Sequence, residues 1–350
     1  MELRRLLSVA ADVLDELVAH PGLDEWLAGQ PRVVDCVDDA VDAAIGAAYG
    51  STPTDVEAHA FLQRTLYRIN RLMLFWFDDL HHYDNDRSPY LHRLRAKIED
   101  AWQTWELSQV PNQRTLAAAV PLALRTRTAE DVDPLPSAGC RYFRDRAPLA
   151  AYRRLVAIAS LDGLVEASQL SRTLGGVSNA VHGTLTRLLI EEYGGGREAR
   201  KHSTYFRTMM EGLGMDPTPE AYVDLVPWEV MACINHSFLV SDRRRLFLRY
   251  VGGLLHTEMS VPATFRCYLG AAQRLGLPAA ATTYWELHIK EDARHGPWML
   301  EEVALPLAAR YPADAWEIVL GYDQQRVMSA RAGAATAAAA EAAALSARHA

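Results

Sequence analysis

Apolar residues recur every three or four positions along most of the chain, and the strict alternation typical of strands is nearly absent. This pattern predicts an all-α protein. In one of the clearest runs, 88–107, Ser88 followed by Pro89 predicts an N-cap and a first helical residue. The predicted helices that bear on the argument are 56–83, 88–107, 148–174, 178–193, 197–213, 218–233, 240–257, 262–275, 278–305 and 312–331.

A proline-containing segment at 130–139 is the best candidate for a domain boundary. We therefore expect an N-terminal helical region at 1–135 and a second helical domain at 136–328. The remaining residues, 329–350, are mostly alanine. Alanine favours a helix but buries little surface, so we expect this tail to fray or to be disordered.

The N-terminal region contains an apolar stripe that is too broad to leave in water. A symmetric dimer is the commonest way to cover such a surface. We therefore expect residues 1–135 to pack on the second domain or to form a homodimer. The stripe comprises Leu66, Ile69, Leu72, Met73, Phe75 and Trp76.

Composition and charge exclude several classes of protein. The net charge of −8 argues against a nucleic-acid partner, which requires a basic face. No apolar run approaches the ~18 residues of a membrane span, and the N-terminus has the pattern of an amphipathic helix instead of a signal peptide. The four cysteines form no C-x-x-C pair, which predicts neither a zinc site nor a disulfide framework. We expect a cytoplasmic protein.

The segment 285–298 contains the sharpest chemical pattern. His288, Asp292 and His295 stand at positions i, i+4 and i+7, which places them on one face of a helix. Two imidazoles and a carboxylate on one face could bind a metal ion, and this mixture of nitrogen and oxygen suits iron or manganese. The alternative is a polar surface stripe.

A second cluster surrounds the glycines at 194–196. Glu191 and Glu192 precede them and His202 follows. On an unbroken helix Glu192 and His202 would lie ~15 Å apart, but the glycines allow a bend that brings both side chains to one site. Geometry alone does not choose between Glu191 and Glu192. The alternative is an ordinary helix stop.

Two more carboxylates, Glu166 and Glu258, lie in otherwise apolar segments. A buried carboxylate requires a cation, an arginine or a proton. Partial exposure at a helix end would also explain each one. Together with Glu192 and Asp292 they give four negative charges, which would balance two Fe²⁺ ions beside neutral histidines.

The order Glu, Glu-x9-His, Glu, His-x3-Asp-x2-His resembles the haem-oxygenase-like diiron oxidases and oxygenases. The resemblance implies a helical bundle of haem-oxygenase type at 136–328, which binds two iron ions and no haem. Glu258, thirty residues before His288, matches an extra carboxylate ligand of some members. The metal ligands that the resemblance implies are Glu166, Glu192, His202, Glu258, His288, Asp292 and His295.

The spacing is most similar to the branch of this family that oxygenates amine or guanidine nitrogens, including nitrosourea formation. The resemblance implies O2 as co-substrate, an external electron donor or reductase, and a small-molecule amine converted to a hydroxylamine, nitroso or nitro product in natural-product biosynthesis. An amino acid or an aminoimidazole would be a suitable substrate. A typical member of that branch also carries a C-terminal cupin domain. The resemblance does not include such a domain, so we do not expect the activity of the cupin.

His256 and Glu286 are candidates for a base near the ligands. A structural role for both is an equal alternative. The main alternative function is a diiron oxidase that cleaves a C–C or C–H bond of an amino or fatty acid. A different class of protein, an interaction protein with vestigial ligands or an iron carrier, is the other alternative.

Overall fold

The computed structural model describes residues 2–50, 54–110 and 119–349, and within these ranges the chain contains helices and no β-strand. The all-α prediction is confirmed. None of the helices in the described ranges is long and apolar enough to cross a lipid bilayer. The chain divides into two units: Met1–Gln109 with Ile234–Leu239, and Val110–Cys233 with Val240–Ala350.

Within the described residues, the first unit is built from five α-helices and the short segment Ile234–Leu239. Ser88 caps the helix Pro89–Ser108 as predicted, because its side chain accepts a hydrogen bond from the Leu91 amide at 3.3 Å and Pro89 occupies the first helical position. The helices are α1 (Glu2–Val18), α2 (Leu23–Leu27), α3 (Pro31–Tyr49), α4 (Val56–Asn70) and α5 (Pro89–Ser108).

The prediction of a single helix over 56–83 is wrong for the residues that follow α4. The chain leaves the α-helix at Asn70 and continues through two short 3₁₀ turns. Asp79 accepts a hydrogen bond from the His81 amide, and Asp78 accepts one from the Tyr83 hydroxyl at 2.6 Å. Such local side-chain bonds offer the backbone an alternative to the helix. The apolar stripe is therefore divided: Leu66 is buried, whereas Phe75 is exposed. The homodimer stays a prediction.

The second unit contains eleven α-helices within the described ranges. A π-helical segment, Met299–Ala304, joins the helix Thr283–Trp298 to the helix Leu305–Arg310. The helices are α6 (Val120–Asp131), α7 (Ala138–Arg146), α8 (Leu149–Gly163), α9 (Ser168–Thr173), α10 (Ala180–Glu192), α11 (His202–Gly212), α12 (Trp228–Asp242), α13 (Phe247–Arg274), α14 (Thr283–Trp298), α15 (Leu305–Arg310) and α16 (Trp316–His349).

The boundary between the units falls at Gln109, ahead of the proline segment at 130–139 where we expected it. Helix α6 belongs to the second unit, and Arg127 on it makes a bidentate ion pair with Asp323 on α16 at 2.7 and 2.8 Å. The prolines follow α6 instead of separating it from the later helices. They mark a loop and not a domain boundary.

Helix α13 is the centre of the second unit and packs against α7, α14 and α16. The sequence predicted separate helices at 240–257 and 262–275, but the structure has one helix of 28 residues that includes 247–257 and 262–274, with Pro262 inside it. Proline removes one backbone hydrogen bond and disfavours this arrangement. Pro262 is buried, so packing around α13 offsets the loss and the helix continues through it.

The alanine-rich tail is part of α16, which continues to His349. Ala337, Ala340 and Ala344 are buried in the same core cluster as Tyr142 and Phe143 of α7. The expectation of a disordered tail is therefore not met. Each alanine buries little surface, but its small side chain lets neighbouring helices approach closely, and repeated contacts along a long helix hold it in place.

Candidate metal centre

Helix α14 presents one polar face to the interior. His288, Asp292 and His295 are 4%, 4% and 0% exposed, whereas Lys290 between them and Glu286 just before them are exposed. The spacing of i, i+4 and i+7 therefore gives the single face that the sequence predicted. A solvated surface stripe is excluded by this burial.

The glycines at 194–196 make the bend between Glu192 and His202. All three have positive φ angles, 61°, 65° and 77°, which a residue with a Cβ atom rarely adopts. The chain then enters α11 at His202, and Glu192 Oε2 lies 2.8 Å from His202 Nδ1. The two side chains, ten positions apart, thus meet in one buried place.

Glu166 lies in the turn between α8 and α9, beside His288. Its Oε1 accepts a hydrogen bond from the Tyr284 hydroxyl at 3.0 Å and lies 2.9 Å from His288 Nε2. The backbone carbonyl of Tyr284 accepts a hydrogen bond from His288 Nδ1 at 3.0 Å. Because this bond occupies Nδ1, Nε2 is the nitrogen of His288 that faces the carboxylates. Tyr284 was not predicted from the sequence, although its position four residues before His288 was a usable signal.

Glu258 comes from the middle of α13, where α14 approaches it closely. A Cβ atom on Gly296 would lie 2.5 Å from Met259 Sδ and 3.3 Å from the Glu258 carbonyl oxygen. The glycine after His295 therefore allows the two helices to approach. As a result, Glu258 Oε2 lies 3.3 Å from His295 Nδ1.

The predicted residues form two groups that share Glu192. In each group the donor atoms lie within 4.8 Å of one another. Glu192 Oε2 faces His202, and its Oε1 lies 3.6 Å from His295 Nδ1. The first group is Glu166, Glu192, His202 and His288; the second is Glu192, Asp292 and His295, with Glu258 beside His295.

Protons balance the negative charge of these groups when no other cation is present. Burial raises the pKa of Glu258 to about 7. Burial alone would lower the pKa of the histidines, but the Glu166 carboxylate raises that of His288 to about 10. Asp292 and Glu258 likewise raise that of His295 to about 11. The buried cluster therefore favours the binding of positive charge.

The donor set fits metal ions. Glu166 Oε2 and His295 Nδ1 are buried without a hydrogen-bond partner, which is costly unless something else binds them. Carboxylates and imidazoles in a buried site suit iron, and Glu192 offers one oxygen to each group. Helical carboxylate di-iron proteins place such ligands on several helices of a bundle.

Glu191, the alternative to Glu192, lies on the opposite side of His295. Its Oε2 is 3.0 Å from His295 Nε2 and 3.1 Å from Arg294 Nη2. Glu191, Glu291 and His295 also lie close together, but Arg294 pairs with both glutamates. Geometry therefore separates the two neighbours: Glu192 faces both groups, and Glu191 lies behind one histidine.

The two candidate bases, His256 and Glu286, belong to neither donor group. His256 is buried with its Nε2 3.8 Å from Asp131 Oδ2 and its ring edge-on to Tyr322, and burial lowers its pKa to about 4. Glu286 is exposed. The alternative of a structural or solvent-facing role, which the sequence left open, fits these positions.

Comparison with known proteins agrees with this geometry. The sequence profile of the haem-oxygenase-like family described as iron-containing redox enzymes matches residues 153–327, half of the chain. This range includes all seven predicted ligands. The chain therefore belongs to this family, and the resemblance proposed from the sequence is confirmed. The protein is an oxidoreductase of the iron-containing class.

A similar protein is nitrosourea synthase from Streptomyces achromogenes subsp. streptozoticus. It is 30% identical over 168 residues, which cover 48% of this chain and 36% of the relative. The matched chain thus spans about a third of the relative's length. This similarity places the chain near the branch predicted from the spacing of its acidic and histidine residues.

Proposed function

We propose that this protein is a non-haem diiron oxygenase that uses O2 to oxygenate an amine or guanidine-type nitrogen of a small molecule. The observation that carries the proposal is the position of Glu192, whose two oxygens face two different groups of donors. One carboxylate shared between two groups is the arrangement expected of a two-metal site. A site for a single ion would not require the second group.

In this proposal Glu166, His202 and His288 hold one iron, and Glu258, Asp292 and His295 hold the other. Glu192 serves both. Bound iron would supply the binding and reduction of O2, which no side chain can supply. The protein contributes a buried ligand set from several helices, which excludes bulk water from the reacting centre.

The atom and electron balance requires a reductant. An amine R–NH2, one O2, two electrons and two protons give R–NHOH and one water. The N–H bond is replaced by N–O–H, and the second oxygen atom leaves as water. We therefore include an external electron donor or reductase as a partner. The amine must be neutral when it reacts, because its lone pair forms the new bond.

Asp162 favours a basic nitrogen compound over an anionic fatty acid. Its side chain is exposed and makes no hydrogen bond or ion pair among the described residues. Even so, the surrounding protein desolvates its carboxyl and, with nearby Glu166, raises its pKa to about 6. An exposed, unpaired carboxylate close to Glu166 attracts a cation and repels an anion.

The name of the relative adds support for nitrogen chemistry. A nitrosourea synthase makes a product that contains an oxygenated nitrogen. The alternative, oxidative cleavage of a C–C or C–H bond, remains an outcome of the tests below.

Two iron ions per chain are expected when the metal-free protein is reconstituted with Fe²⁺ without oxygen. The reason is the double donor set that shares Glu192. Metal analysis after removal of loosely bound iron measures the number. Glu192→Ala should lose both ions, because it belongs to both groups. One iron per chain, or haem or zinc in preference to iron, contradicts the proposal.

Turnover under ¹⁸O2 tests the reaction itself. The Fe²⁺-loaded protein with a chemical reductant should convert at least one member of a panel of amino acids, guanidines and aminoimidazoles to a product with ¹⁸O on nitrogen. Mass spectrometry locates the label. Loss of CO2 or of two hydrogens without incorporated oxygen would support the C–C or C–H oxidase instead. Iron binding without O2 consumption would support an iron carrier.

A further inference from the structure

Glu191 makes a contact with His295 that the ligand set does not explain. Glu191 Oε2 lies 3.0 Å from His295 Nε2, at the last turn of α10. The histidine ring is 0% exposed, and its other nitrogen, Nδ1, faces Glu192, Glu258 and Asp292. One ring therefore connects Glu191 on one side to the second donor group on the other.

We propose that Glu191 is a positioning residue that fixes the orientation and tautomer of His295 for the second iron. Its carboxylate accepts the hydrogen bond of Nε2–H, so the lone pair of Nδ1 points into the donor group. A metal-binding histidine commonly donates its other N–H to a carboxylate or carbonyl, and such a partner raises the basicity of the ligand. This inference rests on the proposed function.

Arg294 distinguishes this role from direct metal binding by Glu191. Its guanidinium pairs with Glu191 at 3.1 Å and also with Glu291, and it lies over the Trp298 ring at 5.4 Å. A carboxylate that is already paired with an arginine has less affinity for a further cation. The same ion pair restrains Glu191 and so restrains His295 through it.

The role is specific to one of the two donor groups. His288, in the first group, donates from Nδ1 to the neutral backbone carbonyl of Tyr284. His295 has an anionic partner instead. Loss of Glu191 should therefore weaken the iron held by His295 and leave the iron held by His288 nearly unaffected.

The test is an anaerobic Fe²⁺ titration of the full-length protein and its variants, followed by the near-infrared ligand-field bands of the ferrous ions. Glu191→Ala should weaken one of the two binding steps about 10–100-fold and change the bands of one ion. Glu191→Gln keeps an acceptor oxygen for Nε2–H and should recover part of the affinity. Glu291→Gln is the matched control, because Glu291 contacts Arg294 and carries no hydrogen bond to His295 in the structure.

Three results would overturn the inference. Unchanged iron binding in Glu191→Ala would show that His295 needs no partner. Equal losses in Glu191→Ala and Glu291→Gln would show that the Arg294 ion pair alone matters. Weakening of both iron ions would indicate a general structural effect. If Glu191→Ala loses helical content, Glu191→Gln decides by the same criteria. Wild-type protein with fewer than two irons refutes the proposed function and this inference together, whereas a variant effect without N-oxygenation refutes only the proposed reaction.

Discussion

His295→Ala is expected to reduce O2-dependent turnover by more than about 100-fold while the helical fold survives, because removal of a ligand costs more than removal of its supporting partner. His295 is fully buried and faces three carboxylates of the second donor group. Asp292→Ala, on the same face of α14, should have the same effect. Turnover, iron content and far-ultraviolet circular dichroism measure the three quantities.

The stability of His295→Ala should fall only by roughly 1–3 kcal/mol, the usual range for one buried substitution. Lys290→Ala is the matched control, since Lys290 is exposed on the same helix. It should keep both iron ions and normal turnover. Near-wild-type turnover in either His295→Ala or Asp292→Ala would show that this face of α14 does not hold the metal.

Periodicity predicted the helices but not where they end. The apolar pattern at 56–83 continues past Asn70, yet Asp78 and Asp79 bond locally and the helix stops. Conversely, the sequence predicted two helices at 240–257 and 262–275, whereas packing lets α13 continue through Pro262. Both errors have one origin: helix ends depend on competing local bonds and tertiary contacts, which a pattern of apolar positions does not contain.

The grouping of the candidate ligands was more predictable than the helix ends, because the chemistry of a metal site restricts the residue types. His288, Asp292 and His295 share a face for reasons of helix geometry alone. The choice between Glu191 and Glu192 could not be made from the sequence, because the two adjacent glutamates differ only in the direction in which their side chains point. Tyr284 and Gly296 were missed, since each matters through a contact with a neighbouring element.

Gly194→Ala is expected to disrupt the contact between Glu192 and His202. Gly194 has a φ of 61°, and a Cβ atom there would lie 2.4 Å from the carbonyl carbon of Arg200. The Arg200 backbone must then move, and it lies two residues before His202. Left-handed backbone costs about 1–2 kcal/mol for a residue with a Cβ atom, and overpacking adds roughly 1–3 kcal/mol.

Gly195→Ala separates these two costs. Gly195 has a similar φ of 65°, but a Cβ atom there would meet nothing within 4 Å. It should therefore lose only the left-handed backbone contribution and keep its iron, whereas Gly194→Ala should lose more stability and bind iron more weakly. Urea unfolding of the metal-free proteins and Fe²⁺ titration measure the two differences. Equal stability and equal iron binding in the two variants would show that the close packing of Gly194 against Arg200 does not hold His202 beside Glu192.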